Sequence, residues 1–206
     1  MMTALGYGSG HDSVKDRVLI GADGLVVGYR RAVCRPVSFT VRFGEIVGLA
    51  GPNGSGKTTL LHAVVTGDHV LSGSLTRHAG ELTSLEQHRD TPDEAPFTGE
   101  DLLRVCRAFH RDPPPGLLPL LASRLDLMSG GQVQLLRVWA CMGGCATLVL
   151  LDEPTNHLDP TAQFSLERML DAGRPDRGML LVSHDRGFLE RTCDRVVDVV
   201  PAVTAI

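Results

Sequence analysis

Gly51-Pro-Asn-Gly-Ser-Gly-Lys-Thr-Thr59 is the stretch on which the reading of this 206-residue chain turns. It fits the pattern G-x-x-x-x-G-K-[ST], with Gly51, Gly56, Lys57 and Thr58 at the fixed positions. A triphosphate carries several negative charges close together, and water solvates them well. A competing site must aim many donors at the oxygens at once. Glycines let the backbone curl so that successive N–H groups point inward, which makes Gly51, Asn53, Gly54, Ser55 and Gly56 candidate phosphate contacts. A helix starting near Lys57 adds its positive dipole end, together with Thr58 and Thr59 in its first turn. Lys57 brings a full charge toward the outer phosphates, and Thr58 offers a hydroxyl to Mg²⁺.

The flanks supply the setting this loop needs. Ile46–Ala50 is a continuous apolar run of buried-strand type. After the loop, Leu60, Leu61, Val64 and Val65 share one face of a helix over about Lys57 to Thr66, and Gly67 fits its C-terminal cap. Upstream, Leu25–Tyr29 and Val37–Phe43 read as strands, the second with the period-two alternation of a half-buried antiparallel strand. Downstream, Thr98-Gly-Glu-Asp101 opens a helix toward His110, and Pro113-Pro114-Pro115 makes a stiff connector. Ser129-Gly-Gly-Gln132 opens another helix through about Met142. Thr147–Leu151, Gly178–Val182 and Val196–Val200 read as strands, and Asp159-Pro160 starts a helix to about Asp171. Strands alternating with helices predict an α/β fold around a mostly parallel sheet.

Composition excludes several classes. Apolar residues are 43% and charged residues 21%, as in an ordinary globular protein, and no run of 18 apolar residues exists to span a membrane. Lys plus Arg is 20 against Asp plus Glu 24, a net charge of −4, so direct nucleic-acid binding is not expected. Five cysteines without a repeated spacing speak for a reducing compartment rather than a disulfide framework. Met1 to Asp16 has neither the basic start nor the apolar core of a signal peptide. The expected organisation is a flexible tail over 1–16 and one domain over 17–206.

Leu148-Val-Leu-Leu-Asp-Glu153 supplies the second half of the chemistry. Four apolar residues make a strand beside the first, and Asp152 emerges at its carboxyl end, where open α/β sheets bind ligands. There Asp152 is a candidate Mg²⁺ contact, and Glu153 is placed to polarise an attacking water.

Taken in order, these motifs resemble the nucleotide-binding domain of the ATP-binding cassette (ABC) ATPases, from about Leu25 to Val200. Met128-Ser-Gly-Gly-Gln132 resembles the family's signature motif, Asp152–Asp159 its acidic strand and D-loop, and Ser183-His184-Asp185 its switch-histidine loop. The resemblance implies a P-loop NTPase fold with an antiparallel β subdomain near the N-terminus. It also implies a small α-helical subdomain, about 88–142, carrying the signature. Its implied cofactors are ATP and Mg²⁺. Tyr29 would stack on adenine, Gln87 would touch Mg²⁺, and His184 would contact the γ-phosphate. Ser129, Gly130, Gly131 and Gln132 would close over ATP held by a second subunit, with Asp159 linking the two sites. Two departures stand out: Met128 replaces the usual Leu, and Leu135 occupies a position that is generally basic.

For function, the resemblance implies the ATP-hydrolysing subunit of a transporter, dimerising with itself or a related subunit. That subunit would work through a separate membrane permease on the cytoplasmic face of the cell membrane. The alternative is a soluble ABC protein of the F class acting on ribosomes, toward which Asp152–Asp159 and Ser183–Phe188 lean in wording.

Overall fold

The structure, a computed structural model, describes residues 17–85 and 97–202. The expected tail over 1–16 and the candidate Gln87 lie outside the described residues.

Two sheets organise the molecule. The first is antiparallel, in the order β2-β1-β4, from β1 (Val18–Val27), β2 (Val37–Arg42) and β4 (Val70–Arg77). The second is wholly parallel, in the order β5-β6-β7-β3-β8. Its strands are β3 (Ile46–Ala50), β5 (Leu82–Leu85), β6 (Leu148–Asp152), β7 (Gly178–Ser183) and β8 (Arg195–Asp198). Every residue of β3, β6 and β7 is buried, which is why these strands read as unbroken apolar runs.

Period-two geometry divides those runs between two cores. Ile46, Val149, Leu151, Met179 and Leu181 face one core, shared with α2 (Gly99–Val105), α4 (Gly130–Met142), α5 (Pro160–Gly173) and α6 (Arg186–Thr192). Val47, Leu49, Leu148, Leu150, Leu180 and Val182 face the other, shared with α1 (Lys57–Thr66) and the antiparallel sheet. Burial on both faces fixes each strand's register, and so fixes which residues emerge at the carboxyl edge.

The helix boundaries follow the capping signals. Thr98 and Ser129 each form a reciprocal capping box, Asp159 accepts from the Ala162 N–H at 2.7 Å, and Gly67 closes α1 at φ 82. Some elements differ from expectation. β1 begins at Val18 and ends before Tyr29, and α2 stops at Val105 rather than near His110. The stop is local: Arg107 takes φ 54, and the His110 N–H turns to the Gly143 carbonyl at 2.9 Å. A four-residue helix, α3 (Leu118–Leu121), follows the three prolines.

Candidate functional site

Interior strand β3, between β7 and β8, delivers the chain to the carboxyl edge of the parallel sheet, and residues 51–56 turn there into α1. The turn is tight. A Cβ on Gly51 would stand 2.5 Å from the Val199 carbonyl oxygen and 2.7 Å from Ser55 Oγ. Gly54 and Gly56 adopt φ 79 and 95, a region closed to most side chains. Lys57 folds back over the loop and donates from Nζ to the carbonyls of Gly51 (2.8 Å) and Pro52 (3.1 Å). Its ammonium is thereby fixed at the mouth of the loop while the side chain is only 6% exposed.

The loop forms one wall of a cleft of about 380 Å³, with Asn53, Gly54, Lys57, Thr58 and Thr59 on that wall. Glu153, Asn156 and His184 line the opposite side. Strand pairing brings them there: β6 and β7 run in parallel register with Asp152 beside Val182, so both chains leave the sheet together. Glu153 then takes φ 46, a conformation costing of order ~1–3 kcal/mol in a non-glycine residue. That turn aims its carboxylate across at the end of β7. Oε2 accepts from Ser183 Oγ at 3.1 Å and lies 2.8 Å from His184 Nδ1, and Oε1 accepts from the His184 backbone N–H at 3.0 Å. Ser183 Oγ in turn accepts from the Asp185 N–H at 3.1 Å. The carboxylate is buried, whereas the imidazole is 55% exposed toward the cleft.

These donors fit a magnesium-bound triphosphate. The loop is a cradle into which no side chain could be added at Gly51 without a clash. It holds an ammonium, and the Ser55 hydroxyl inside it is buried without a hydrogen-bond partner among the described residues. Thr58 is exposed at the loop, and Asp152 is buried at the end of β6. One hydroxyl and one carboxylate are the oxygen donors that Mg²⁺ takes alongside phosphate oxygens and water.

Other candidates sit apart. Ser129 to Gln132 do not line this cleft. Ser129 caps α4, accepting from the Gln132 N–H at 3.2 Å, while Gln132 Oε1 accepts from the Ser129 N–H at 2.9 Å. Gly130 and Gly131 lie against His157, where a Cβ on Gly131 would stand 3.0 Å from the His157 carbonyl oxygen. Asp159 is spent within this chain as the cap of α5. Tyr29 follows β1, is 72% exposed, and packs its ring against His69 with centroids 4.2 Å apart. The unusual Leu135 is part-buried against the helical core, as is Met128, so both departures from the signature pattern serve packing.

Three participants gave no separate signal in the sequence. Ser183 orients Glu153 from a strand end, Asn156 lines the cleft from the turn after Glu153, and Val33 touches the phosphate-side wall. Asn156 and Ser183 fall within quoted motifs, but only the parallel pairing of β6 and β7 shows what they face.

Comparison with known proteins agrees with this geometry. Residues 34–106 match the family model described as ABC transporter. The zinc import ATP-binding protein ZnuC of Roseobacter denitrificans is 33% identical over 189 residues, covering 87% of this chain and 74% of that protein. The uncharacterized ABC transporter ATP-binding protein YfmM of Bacillus subtilis is 30% identical, over 80% of this chain but 33% of its own length. A solved ATP binding subunit of an ABC transporter superposes with TM-score 0.74 at 25% identity, covering 88% of this chain and 86% of that one. With a cleft built from these motifs and a relative this similar over most of both lengths, the chain belongs to the ABC family of ATPases.

Proposed function

We propose that this chain is the ATP-hydrolysing subunit of a membrane transporter, closing as a dimer over two magnesium-bound ATP molecules and driving a separate permease. One observation carries the dimer. The cleft gathers the phosphate loop, Glu153 and His184, yet the capped N-terminus of α4, with Ser129 exposed, stays outside it. An exposed helix N-terminus with a hydroxyl cap is an anion-binding surface. A second copy, related by two-fold symmetry, would bring that surface over the open side of the cleft, and symmetry would build two such sites. Similarity to a zinc import protein supports transport as the work performed.

Within each site the division of labour follows from the donors. Backbone N–H groups of residues 53–56 and the Lys57 ammonium bind and orient the phosphates. Thr58 and Asp152 are the residues that would hold magnesium, with Gln87 a further candidate from the sequence, and the ion would supply neutralisation of the phosphate charge. Glu153 accepts the proton of the attacking water. Because His184 Nδ1 sits on Glu153 Oε2, the imidazole must turn toward the nucleotide for that oxygen to face water. Tyr29 stacks on the base, and Asp159 with its neighbours connects one site to the other.

The test uses Glu153→Gln, which removes the base but keeps the shape. With ATP and Mg²⁺ the variant should elute at twice the mass of the nucleotide-free chain. A persistent monomer overturns the dimer. Reconstitution of the wild-type chain with its permease should give ATP-dependent cargo movement, which Glu153→Gln should abolish. Cosedimentation with ribosomal subunits would instead favour the soluble F-class reading.

A further inference from the structure

Strands β1 and β4 pair as far as Val27 and Val70. One residue beyond, the Gly28 N–H donates to the His69 carbonyl at 2.9 Å, so the two chains stay locked after the ladder ends. Tyr29 comes next, and its ring meets the His69 imidazole at 4.2 Å between centroids, the planes 48° apart. His69 is itself backed by His62, from α1, at 5.2 Å between rings. The placement is built rather than incidental. Gly67 caps α1 at φ 82, and two residues later His69 takes φ 64, which histidine adopts more readily than most residues but seldom without cause. Gly28 allows the sharp turn that follows, since a Cβ there would stand 2.0 Å from the Arg31 carbonyl oxygen.

The same segment is held at its far end. The Val33 N–H donates to the Val27 carbonyl at 2.9 Å, and a Cβ on Gly56 would stand 2.7 Å from Val33 Cγ2. Residues 28–33 are therefore fixed to the phosphate loop at one end and to the turn after α1 at the other. Between those anchors Tyr29 still keeps 72% of its surface open.

We propose that His69 is a positioning residue for Tyr29. Its imidazole packs on part of the phenol ring, holds that ring's orientation before nucleotide arrives, and leaves the open surface to the adenine base. The inference rests on Tyr29 being the base contact. A free tyrosine would lose rotamer freedom on binding; a ring already held does not, and affinity for the base rises by about three- to tenfold. Tyr29 and α1 are thereby joined through His69, so the base platform and the phosphate loop move as one piece.

The test compares Mg-ATP with inorganic tripolyphosphate, which lacks a base, by calorimetric titration. His69→Asn removes the ring while keeping a residue that tolerates positive φ. It should weaken ATP about three- to tenfold and leave tripolyphosphate unchanged. His69→Phe, which keeps a ring, should restore ATP affinity to within about twofold. In a Tyr29→Ala background, His69→Asn should add nothing. If Tyr29→Ala leaves the ratio of the two affinities unchanged, the base-contact reading fails first. If Tyr29→Ala selectively weakens ATP but His69→Asn does not, or weakens both ligands alike, the positioning role is overturned while the Tyr29 reading stands.

Discussion

Glu153 and His184 hold each other in a closed pair: the imidazole Nδ1 lies 2.8 Å from Glu153 Oε2, and the His184 backbone N–H donates to Oε1 at 3.0 Å. The two residues directly follow the neighbouring parallel strands β6 and β7, so sheet register together with the positive-φ turn at Glu153 sets their distance. A buried carboxylate so tied has one orientation, and only the exposed imidazole can change it.

Ser183 and His184 should therefore fail differently when removed. Ser183→Ala takes one donor from Oε2 and leaves the Asp185 N–H without its acceptor. The carboxylate is less well oriented but the phosphate contacts survive, so kcat should fall about tenfold with little change in KM. His184→Ala removes the group that would reach the γ-phosphate and should cost roughly 100-fold or more in kcat. Steady-state phosphate release at varied ATP distinguishes the two. Equal losses in both variants would mean that His184 acts only by holding Glu153.

Much of this architecture was legible because it rests on signals with a single physical cause. The phosphate loop, the caps at Thr98, Ser129 and Asp159, and the apolar runs of β3, β6 and β7 all appear where the residue types demand. Strand β4 was hidden because seven of its eight residues are exposed, so no alternation marks it, and Gly73 stands mid-strand at φ 82 against the Gly24 backbone. Strand β5 has four residues, too few for a period to show. The start of β1 was masked by Gly21 and Asp23-Gly24, where the pairing with β2 slips between Ala22 and Leu25. In the site, side chains that belong to an anion-binding sequence motif were visible. Those that act through a neighbour, such as Ser183 on Glu153, depend on which strands adjoin, and no local pattern encodes that.

Ser129 offers a way to separate folding from nucleotide contact. Serine and aspartate cap helices about equally well, so Ser129→Asp should preserve the α4 cap that now accepts the Gln132 N–H, with stability within about 0.5 kcal/mol. A carboxylate facing a triphosphate is repelled, however. In a Glu153→Gln background, Ser129→Asp should abolish the ATP-dependent dimer on size-exclusion chromatography while Ser129→Thr retains it. Ser129→Ala should cost about 1 kcal/mol of stability through the lost cap. A normal ATP-dependent dimer from the aspartate variant would place this turn away from the phosphates.

Cys193 makes a prediction about alkaline stability. Burial pushes its thiol up to about 12 from an ordinary 9.0, with the neighbouring Asp194 carboxylate adding to the rise. The unfolded chain releases this proton near pH 9, and the folded chain holds it to about pH 12. The stabilisation is thus complete below pH 9 and is lost as pH climbs from 9 to 12. Urea midpoints measured at pH 8, 9.5 and 10.5 should fall more steeply in the wild type than in Cys193→Ala. Other titrating groups are common to both proteins and cancel in the difference, so parallel curves would show that this thiol ionises freely in the folded state.

Arg177 is a charge that the fold bears at a cost. Its side chain is 2% exposed, Nε and Nη1 are buried without a hydrogen-bond partner among the described residues, and Nη2 reaches only the Gly144 carbonyl at 3.5 Å. Burial pushes its pKa down, and nearby Arg111 adds to that shift. A buried guanidinium with so few acceptors is poorly compensated for its lost hydration, and replacing such a group with an apolar side chain of similar length tends to be neutral or stabilising. Arg177→Met keeps the stem and leaves the backbone acceptor of the Gly44 N–H in place. It should raise stability by about 1 kcal/mol, or roughly 2–4 °C in melting temperature for a chain of this size. Arg177→Ala should instead destabilise, because the stem's volume is left empty. The pair of variants separates charge from packing. If methionine destabilises as much as alanine, the guanidinium itself holds the 143–146 turn against β7, and the unfavourable burial is outweighed by that one contact.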